Sequence, residues 1–466
     1  MRLVRGGMLV LGAVAWSAAA PAALADTIEA ALVQAYQNNP QVNAQRAIVR
    51  ATDENVPQAL SGYRPRISAT ATYGAQYIDS KTTSTTSSGQ SVVTQQQGWN
   101  DPRTVGGTLT QTLYNGFQTG NRTRQAESQV SAARETLRVI EQTVLLDAAT
   151  AYMNVLRDSA TLDLQRRNVE VIQEQLRQTR DRFNVGEVTR TDVAQAESRV
   201  AAAQSQMLAA QSNLATSKAA YRRIIGVDPG RLSAGTPVDR LSPRTLDLAV
   251  AQGQAENPSV TAAEYGVDVA ALQVKVNEGS LYPTVTVQAS AQQSYDSSVN
   301  SSRQFTGAVI GQVSVPIYQG GTEYSQIRQA KETVSQKRLE LAQNRDQARA
   351  NVVQAWAQLE AAKAQIEATK AQVAAAEIAL NGVREEARVG QRTTLDVLNA
   401  QQELVNARVA LVTAQRDRVV ASYTLLSAVG RLSIPVLGLQ VPLYDPMVHY
   451  QQVRDSWIGV RTPDGK

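Results

Sequence analysis

Along this 466-residue chain the apolar positions switch between two periods, and the order of switching occurs twice. Val193, Ala196, Val200, Ala203, Met207, Ala210, Leu214, Ser217, Tyr221 and Ile224 recur at alternating spacings of three and four. Val397, Ala400, Leu404, Ala407, Leu411, Ala414, Arg418, Ala421, Leu425 and Ala428 repeat the series. A heptad seam with alanine at every other position predicts helices that approach closely in a left-handed supercoil. Arg418 interrupts the stripe and reads as a side chain that snorkels from a tolerant position.

Elsewhere the period falls to two. Ile67, Ala69, Ala71, Tyr73, Ala75 and Tyr77 alternate with polar residues, as do Val285, Val287, Ala289 and Ala291. Val105, Gly107, Leu109 and Leu113 define a further strand, and Phe305, Val309, Val313 and Val315 another. Each has one apolar and one Ser/Thr/Gln face, with Tyr or Phe near its ends, the pattern of barrel strands in an outer membrane. A soluble antiparallel sheet packed on helices fits the same alternation. Four strands cannot close a barrel alone, because an open edge is not tolerated in lipid, so a barrel has to be shared among copies. Two copies supply a barrel filled by side chains, three a barrel with a lumen.

The repetition is a tandem duplication. Thr27 and Asn39-Pro40 match Thr245 and Asn257-Pro258 at an offset of 218, whereas Leu113, Gly186 and Gly226 match Ile317, Gly390 and Gly430 at an offset of 204. The first copy therefore carries 14 extra residues, which fall in the Ser/Thr/Gln-rich stretch Asp79 to Pro102. That composition reads as an exposed, mobile loop. Asn121 to Val185 contains no Gly or Pro, and Thr322 to Val389 contains only Gly382, so each copy is expected to hold a helix roughly 100 Å long. Shorter arms return after the Val-Gly turns, and Pro40 to Leu60 and Pro258 to Glu278 have the length to cover the exposed end of each long arm. The fold class is thus mainly α with a β-barrel contribution.

Composition changes this picture little. Aromatics make up 5% of the chain, which favours long helices with small contacts over a thick core. Residues 1–25, with Arg2 and Arg5, an apolar run and Ala23-Leu24-Ala25, read as a secretory signal peptide. No later stretch is an apolar span long enough for a membrane helix. There is no cysteine, so neither disulfides nor an acylated cysteine enter. The net charge of +5, or +3 without Arg2 and Arg5, gives no footing for a nucleic-acid partner. One histidine, His449, and no cysteine leave no triad or metal cluster, so no enzyme, metal or cofactor is expected; His449 reads as a surface or belt residue.

At the turns, Gly186 and Gly390 suit the left-handed conformation that ends a helix. Thr189-x-x-Asp192 and Thr393-x-x-Asp396 have the form of capping boxes for the next helix. With three copies around one axis, Asp396 also becomes a ring of carboxylates, which attracts cations and resists anions.

The signal peptide, the duplication, the two strand pairs and the turns Arg182-Phe183-Asn184-Val185-Gly186 and Val389-Gly390 resemble the TolC family of outer-membrane efflux and secretion channels, in its non-lipidated branch. The resemblance spans Asp26 to Leu432. It implies a homotrimer with a shared twelve-stranded barrel in the outer membrane of a Gram-negative bacterium and a twelve-helix tunnel across the periplasm. It divides the chain into a first repeat (26–230), an equatorial linker (231–244), a second repeat (245–432) and an equatorial tail (433–466). It implies partnership with outer-membrane lipid, a periplasmic adaptor and an inner-membrane pump, for export of small toxic molecules or of type I secreted proteins. Arg392 matches the family's gating arginine, Asp192 and Thr191 its partners, and Asp396 the constriction carboxylate. The tips Val185, Gly186 and Glu187, and Val389, Gly390 and Gln391, match the adaptor-docking sites. Two positions depart from the family: Asn399 stands where a second carboxylate ring is expected, and Ala387 where a tyrosine is. An exported trimeric coiled-coil stalk or adhesin explains the helices equally well, but not the strands.

Overall fold

The computed structural model describes residues 26–297, 303–463 and 465, so the signal-peptide reading of residues 1–25 lies outside the described residues. One order of elements is run through twice. The first pass is α1 (Ile28–Asn38), α2 (Pro40–Asp53), α3 (Asn55–Leu60), β1 (Arg66–Tyr73), β2 (Gln76–Thr85), β3 (Ser91–Asn100), β4 (Arg103–Asn115), α4 (Gln118–Asn184) and α5 (Arg190–Ile225). The second is α6 (Leu246–Glu256), α7 (Pro258–Gly279), β5 (Thr284–Tyr295), β6 (Gln304–Ser314), α8 (Thr322–Arg388) and α9 (Thr394–Ala428), followed by α10 (Ile434–Leu437) and α11 (Pro446–Val453).

The helices α4 and α8 each run 67 residues, roughly 100 Å, as the absence of breakers requires. Each pairs with its short arm through the heptad seam: Ala196, Ala203, Ala210 and Tyr221 are buried in α5, and Val397, Leu404, Ala407, Ala414 and Leu425 in α9. Where a short arm stops, the segments opened by Asn-Pro cover the long one. Asn39 and Asn257 cap α2 and α7 by accepting from the amides of Gln41 and Ser259, with Pro at the first helical position. α7 then bridges α4 and α8, through Gln125–Gln273 (2.9 Å) and the Arg345–Glu264 ion pair (2.7 Å). Arg418 is an ion-pair partner of Asp239 at 3.3 Å rather than a side chain reaching for water.

The largest core lies at mid-length of α4, where Tyr152, Leu145, Ile28, Leu32, Tyr221, Tyr423, Leu426 and Leu432 pack together. The Tyr152 hydroxyl lies 2.7 Å from the carbonyl oxygens of both Asp26 and Ser233, which pins the inter-repeat segment to α4. Burial pushes the neighbouring Tyr221 hydroxyl up to about 12. His449, read as a surface or belt residue, is buried: its Nδ1 lies 3.0 Å from Oδ2 of the fully buried Asp53, and Arg134 lies 3.7 Å from Oδ1.

Four strands form one antiparallel sheet in the order β1-β4-β5-β6. Its register sorts the faces. Ile67, Leu109, Ala289 and Val309 face one another in a row across all four strands, and the adjacent row is Ser68, Thr108, Ser290 and Ala308. No layer covers the apolar row at its ends: Ile67 and Val309 are each 77% exposed. The edges of β1 and β6 have no strand partner among the described residues.

Two expectations need correction. The stretch Asp79 to Pro102 is no mobile loop; it lies largely within a hairpin of β2 and β3, in register from Gln76–Asn100 to Thr85–Ser91. β-branched residues on both strands, Ile78, Thr82 and Thr83 on β2 and Val92, Val93 and Thr94 on β3, and an edge-to-face contact of Tyr77 with Trp99 at 5.5 Å, support it. The described residues thus hold six strands, and the strand read from Ile67 to Tyr77 ends at Tyr73, where the backbone leaves the sheet to begin the hairpin. Among the described residues no helix is long and apolar enough to cross a membrane.

Candidate functional site at the hairpin tips

Both turns close by the same backbone device. Gly186 (φ 82°) and Gly390 (φ 81°) take the left-handed region. The amides of Gly186 and Glu187 return to the carbonyls of Phe183 and Arg182, and those of Gly390 and Gln391 to Ala387 and Glu386, a Schellman pair at each tip. A Cβ at either glycine would meet nothing, so the demand is conformational and not steric. Val185 and Val389 stand 72% and 70% exposed at the two ends, which leaves both tips free to meet another surface.

Beyond each turn a complete capping box starts the returning helix. Asp192 accepts from the Thr189 amide at 2.9 Å and its hydroxyl at 2.7 Å, and Asp396 from the Thr393 amide at 3.0 Å and hydroxyl at 2.9 Å. These bonds favour the ionised form. The Thr189 hydroxyl bond above all lowers the Asp192 carboxyl below its ordinary value, and the Thr393 amide bond that of Asp396. Both boxes use Oδ2, so a second oxygen on each carboxylate is uncommitted by the cap.

An ion pair spans each turn with its sense reversed. Arg182 precedes the first turn and reaches Glu187 after it at 2.9 Å; Glu386 precedes the second and receives Arg392 from after it at 2.8 Å. The Glu386 bond, with Asp396 nearby, holds the Arg392 proton more tightly than usual. Among the described residues Arg392 makes no hydrogen bond to Asp192 or Thr191 within one chain; Asp192 is engaged by its own cap, and Thr191 is exposed beside it. Glu386 was not singled out from sequence, although opposite charges flanking each Val-Gly turn were there to see.

The structure brings Asn399 to a residue that sequence reading missed. Arg199 of α5 donates from Nη2 to the side-chain oxygen of Asn399 of α9 at 2.6 Å, and Gln402 of α9 lies 3.5 Å from Gln206 of α5. These bonds join the second arms of the two hairpins one turn beyond Asp396, on the face that positions 396 and 399 share. Ala387 lines an open groove with Glu174, Arg182, Arg384, Arg388 and Thr394. No cluster of His, Cys, Asp and Glu among the described residues could hold a metal ion.

Comparison with known proteins meets this architecture along nearly all its length. The outer membrane efflux protein family model matches residues 31–227 and 249–431, the two repeats. The outer membrane efflux protein BepC of Brucella suis is 43% identical over 446 residues, 96% of this chain and 94% of that protein. The outer membrane protein TolC of Escherichia coli is 26% identical over 425 residues, 86% of this chain and 82% of that protein. Among solved structures, the CmeC outer membrane channel of Campylobacter jejuni superposes with a TM-score of 0.75 at 14% identity, covering 92% of this chain and 89% of that one, which speaks for the fold. These matches decide against the stalk or adhesin. The duplicated hairpins, the paired strands and the two Val-Gly tips are those of the outer membrane efflux protein family, and the chain belongs to it, as a protein of the outer membrane.

Proposed function

We propose that three copies of this chain form a channel-tunnel, the exit duct through which an inner-membrane pump and its periplasmic adaptor export small toxic molecules or type I secreted proteins across the outer membrane. Three four-stranded sheets close edge to edge into a barrel of twelve strands in the membrane, and four long helices from each copy make a twelve-helix tunnel in the periplasm. The linker 231–244 and the stretch from Leu432 to Val441, already packed in the core at mid-length α4 in the single chain, form the belt around it, and the tail runs on from there toward the sheet.

One observation carries this reading. Among the described residues the sheet has two unpaired edges and an apolar row bare at its ends, in a protein of the outer membrane, where an open edge is not tolerated. Copies that pair β6 of one with β1 of the next satisfy every edge.

At the opposite end the hairpin tips converge on the axis and close it. Arg392, turning from Glu386, latches onto Asp192 and Thr191 of the adjoining hairpin, and three Asp396 carboxylates form a cation-attracting constriction. With Asn399 in place of a second acidic ring, and Ala387 in place of a tyrosine, this closure is lighter than in the family pattern. The tips Val185 to Glu187 and Val389 to Gln391 dock the helices of the adaptor.

A photo-crosslinking residue at Gln391 in living cells tests the docking and the cargo together. Capture of an adaptor is the expected result. One that serves a drug pump would assign small molecules as the cargo, and one from an ATP-driven secretion system would assign secreted proteins. Capture of no adaptor, with the protein in the outer membrane, would overturn docking at the tips.

A further inference from the structure

The chain beyond its last helix does not leave the body of the molecule. Arg64, which with Pro65 leads into β1, donates from Nη1 to the Ser456 carbonyl, and its guanidinium lies 4.7 Å from the centroid of the Trp457 ring. The tail is thereby seated at the helix-side end of the sheet. The antiparallel register gathers the start of β1, the end of β4, the start of β5 and the end of β6 at that end.

The side chains it presents are apolar and bare. Trp457 is 67% exposed, Ile458 94% and Val460 100%. At and just outside the strand ends gathered there stand the exposed Ile67, Phe117, Tyr282 and Tyr318. Phe117 is instructive, because it keeps an aromatic ring in a left-handed conformation (φ 61°) where its repeat counterpart is Gly321 (φ 85°). That conformation strains any residue with a Cβ, so the ring is retained there against a conformational cost. Trp and Tyr favour the membrane–water boundary, where an amphipathic ring has one wet and one apolar side. Arg64, Arg66 and the exposed Arg461 supply cations that suit headgroup phosphates while their stems lie on apolar surface.

We propose that Trp457 to Val460 is a membrane-interface anchor, which seats in phospholipid at the headgroup level of the periplasmic leaflet, beside β1. The occupant is lipid because Arg64 seats this exposed apolar segment next to β1, whose Ile67 is bare as well, in a protein of the outer membrane. The proposal rests on the reading that the sheet, and not the helices, meets the bilayer. The anchor fixes the height of the molecule in the membrane through a segment outside the duplicated repeats.

The test uses full-length protein in phosphatidylethanolamine–phosphatidylglycerol vesicles whose acyl chains are brominated near the headgroup or near the chain end. Trp99→Phe with Trp356→Phe leaves Trp457 as the tryptophan of residues 26–466. Loss of its emission to headgroup-level bromine, more than to deep bromine, is the expected result. Quenching by aqueous iodide alone would place the tail in water and overturn the anchor. Protection from every quencher would show it covered by protein, a second copy at the β1 edge, and overturn it equally. Val309→Trp with Trp99, Trp356 and Trp457 all replaced by Phe reports on the strands. If that probe escapes bromine, the membrane reading of the sheet has failed; if it is quenched while Trp457 is not, the anchor alone has failed.

Discussion

Arg199, on the second arm of the first hairpin, donates to the side-chain oxygen of Asn399, on the second arm of the second hairpin, at 2.6 Å across 200 residues of sequence. The donor is charged, so the bond is stronger than a neutral one, and its partial exposure makes it sensitive to salt. It ties arm to arm within one chain, one turn beyond Asp396. Arg199→Ala is expected to let the arms part and raise single-channel conductance in planar bilayers. Asn399→Asp, which turns the bond into an ion pair, is expected to lower conductance, most at low salt. Equal conductance in wild type and both variants would remove this pair from any account of closure.

The alternatives for Arg392 separate cleanly. Within one chain its partner is Glu386 at 2.8 Å. If the latch is made to Asp192 and Thr191 of an adjoining hairpin, Arg392→Ala raises conductance whereas Glu386→Gln, which frees the arginine for that latch, leaves it level or lower. A rise in both variants would make Glu386 the latch partner.

The capping boxes give the tips a pH dependence whose sign follows from the bonds. Folding lowers the carboxyls of Asp192 and Asp396 below the unperturbed 3.8, because Thr189 and Thr393 donate to their ionised forms. Their contribution is therefore complete above 3.8 and lost only as pH falls through the lowered values. Amide exchange at the start of α5 and α9 is expected to stay protected through mildly acid pH in wild type. In Thr189→Ala and Thr393→Ala it is expected to quicken at neutral pH. Unchanged protection in both variants would leave the caps without a role in ordering the tips.

Much of this was legible in advance because it is local. The seam residues Ala196 to Tyr221 and Val397 to Leu425 announce their face by spacing alone, and Thr-x-x-Asp after Val-Gly specifies both halves of the turn chemistry. The β2–β3 hairpin was not legible, since Thr, Ser and Gln occupy both of its faces and no period of two emerges. Arg199–Asn399 and Asp53–His449 were hidden for another reason. Periodicity tells which face of a helix is covered, never which distant side chain covers it.

The buried pair Asp53–His449 holds α11 onto α2. Desolvation raises the Asp53 carboxyl, with His449 and then Arg134 opposing it. A raised value means that the folded form retains the proton more tightly than the unfolded form, so this contribution is full below 3.8 and lost as pH rises through the raised value. His449→Ala leaves the carboxylate short of a partner and is expected to cost about 1–3 kcal/mol at neutral pH, less in acid. Thermal unfolding of wild type and variant at the two pH values measures both; an equal loss at each would exclude the linkage.

The central claim is that this chain, in threes, encloses a conducting path lined toward the periplasm by acidic tips. The direct measurement is the reversal potential and conductance of the purified wild-type protein in a planar bilayer under a salt gradient. A small, long-lived conductance with cation preference is expected, with loss of that preference in Asp396→Asn. Protein that inserts as a trimer and carries no current, or a current indifferent to Asp396, would contradict it.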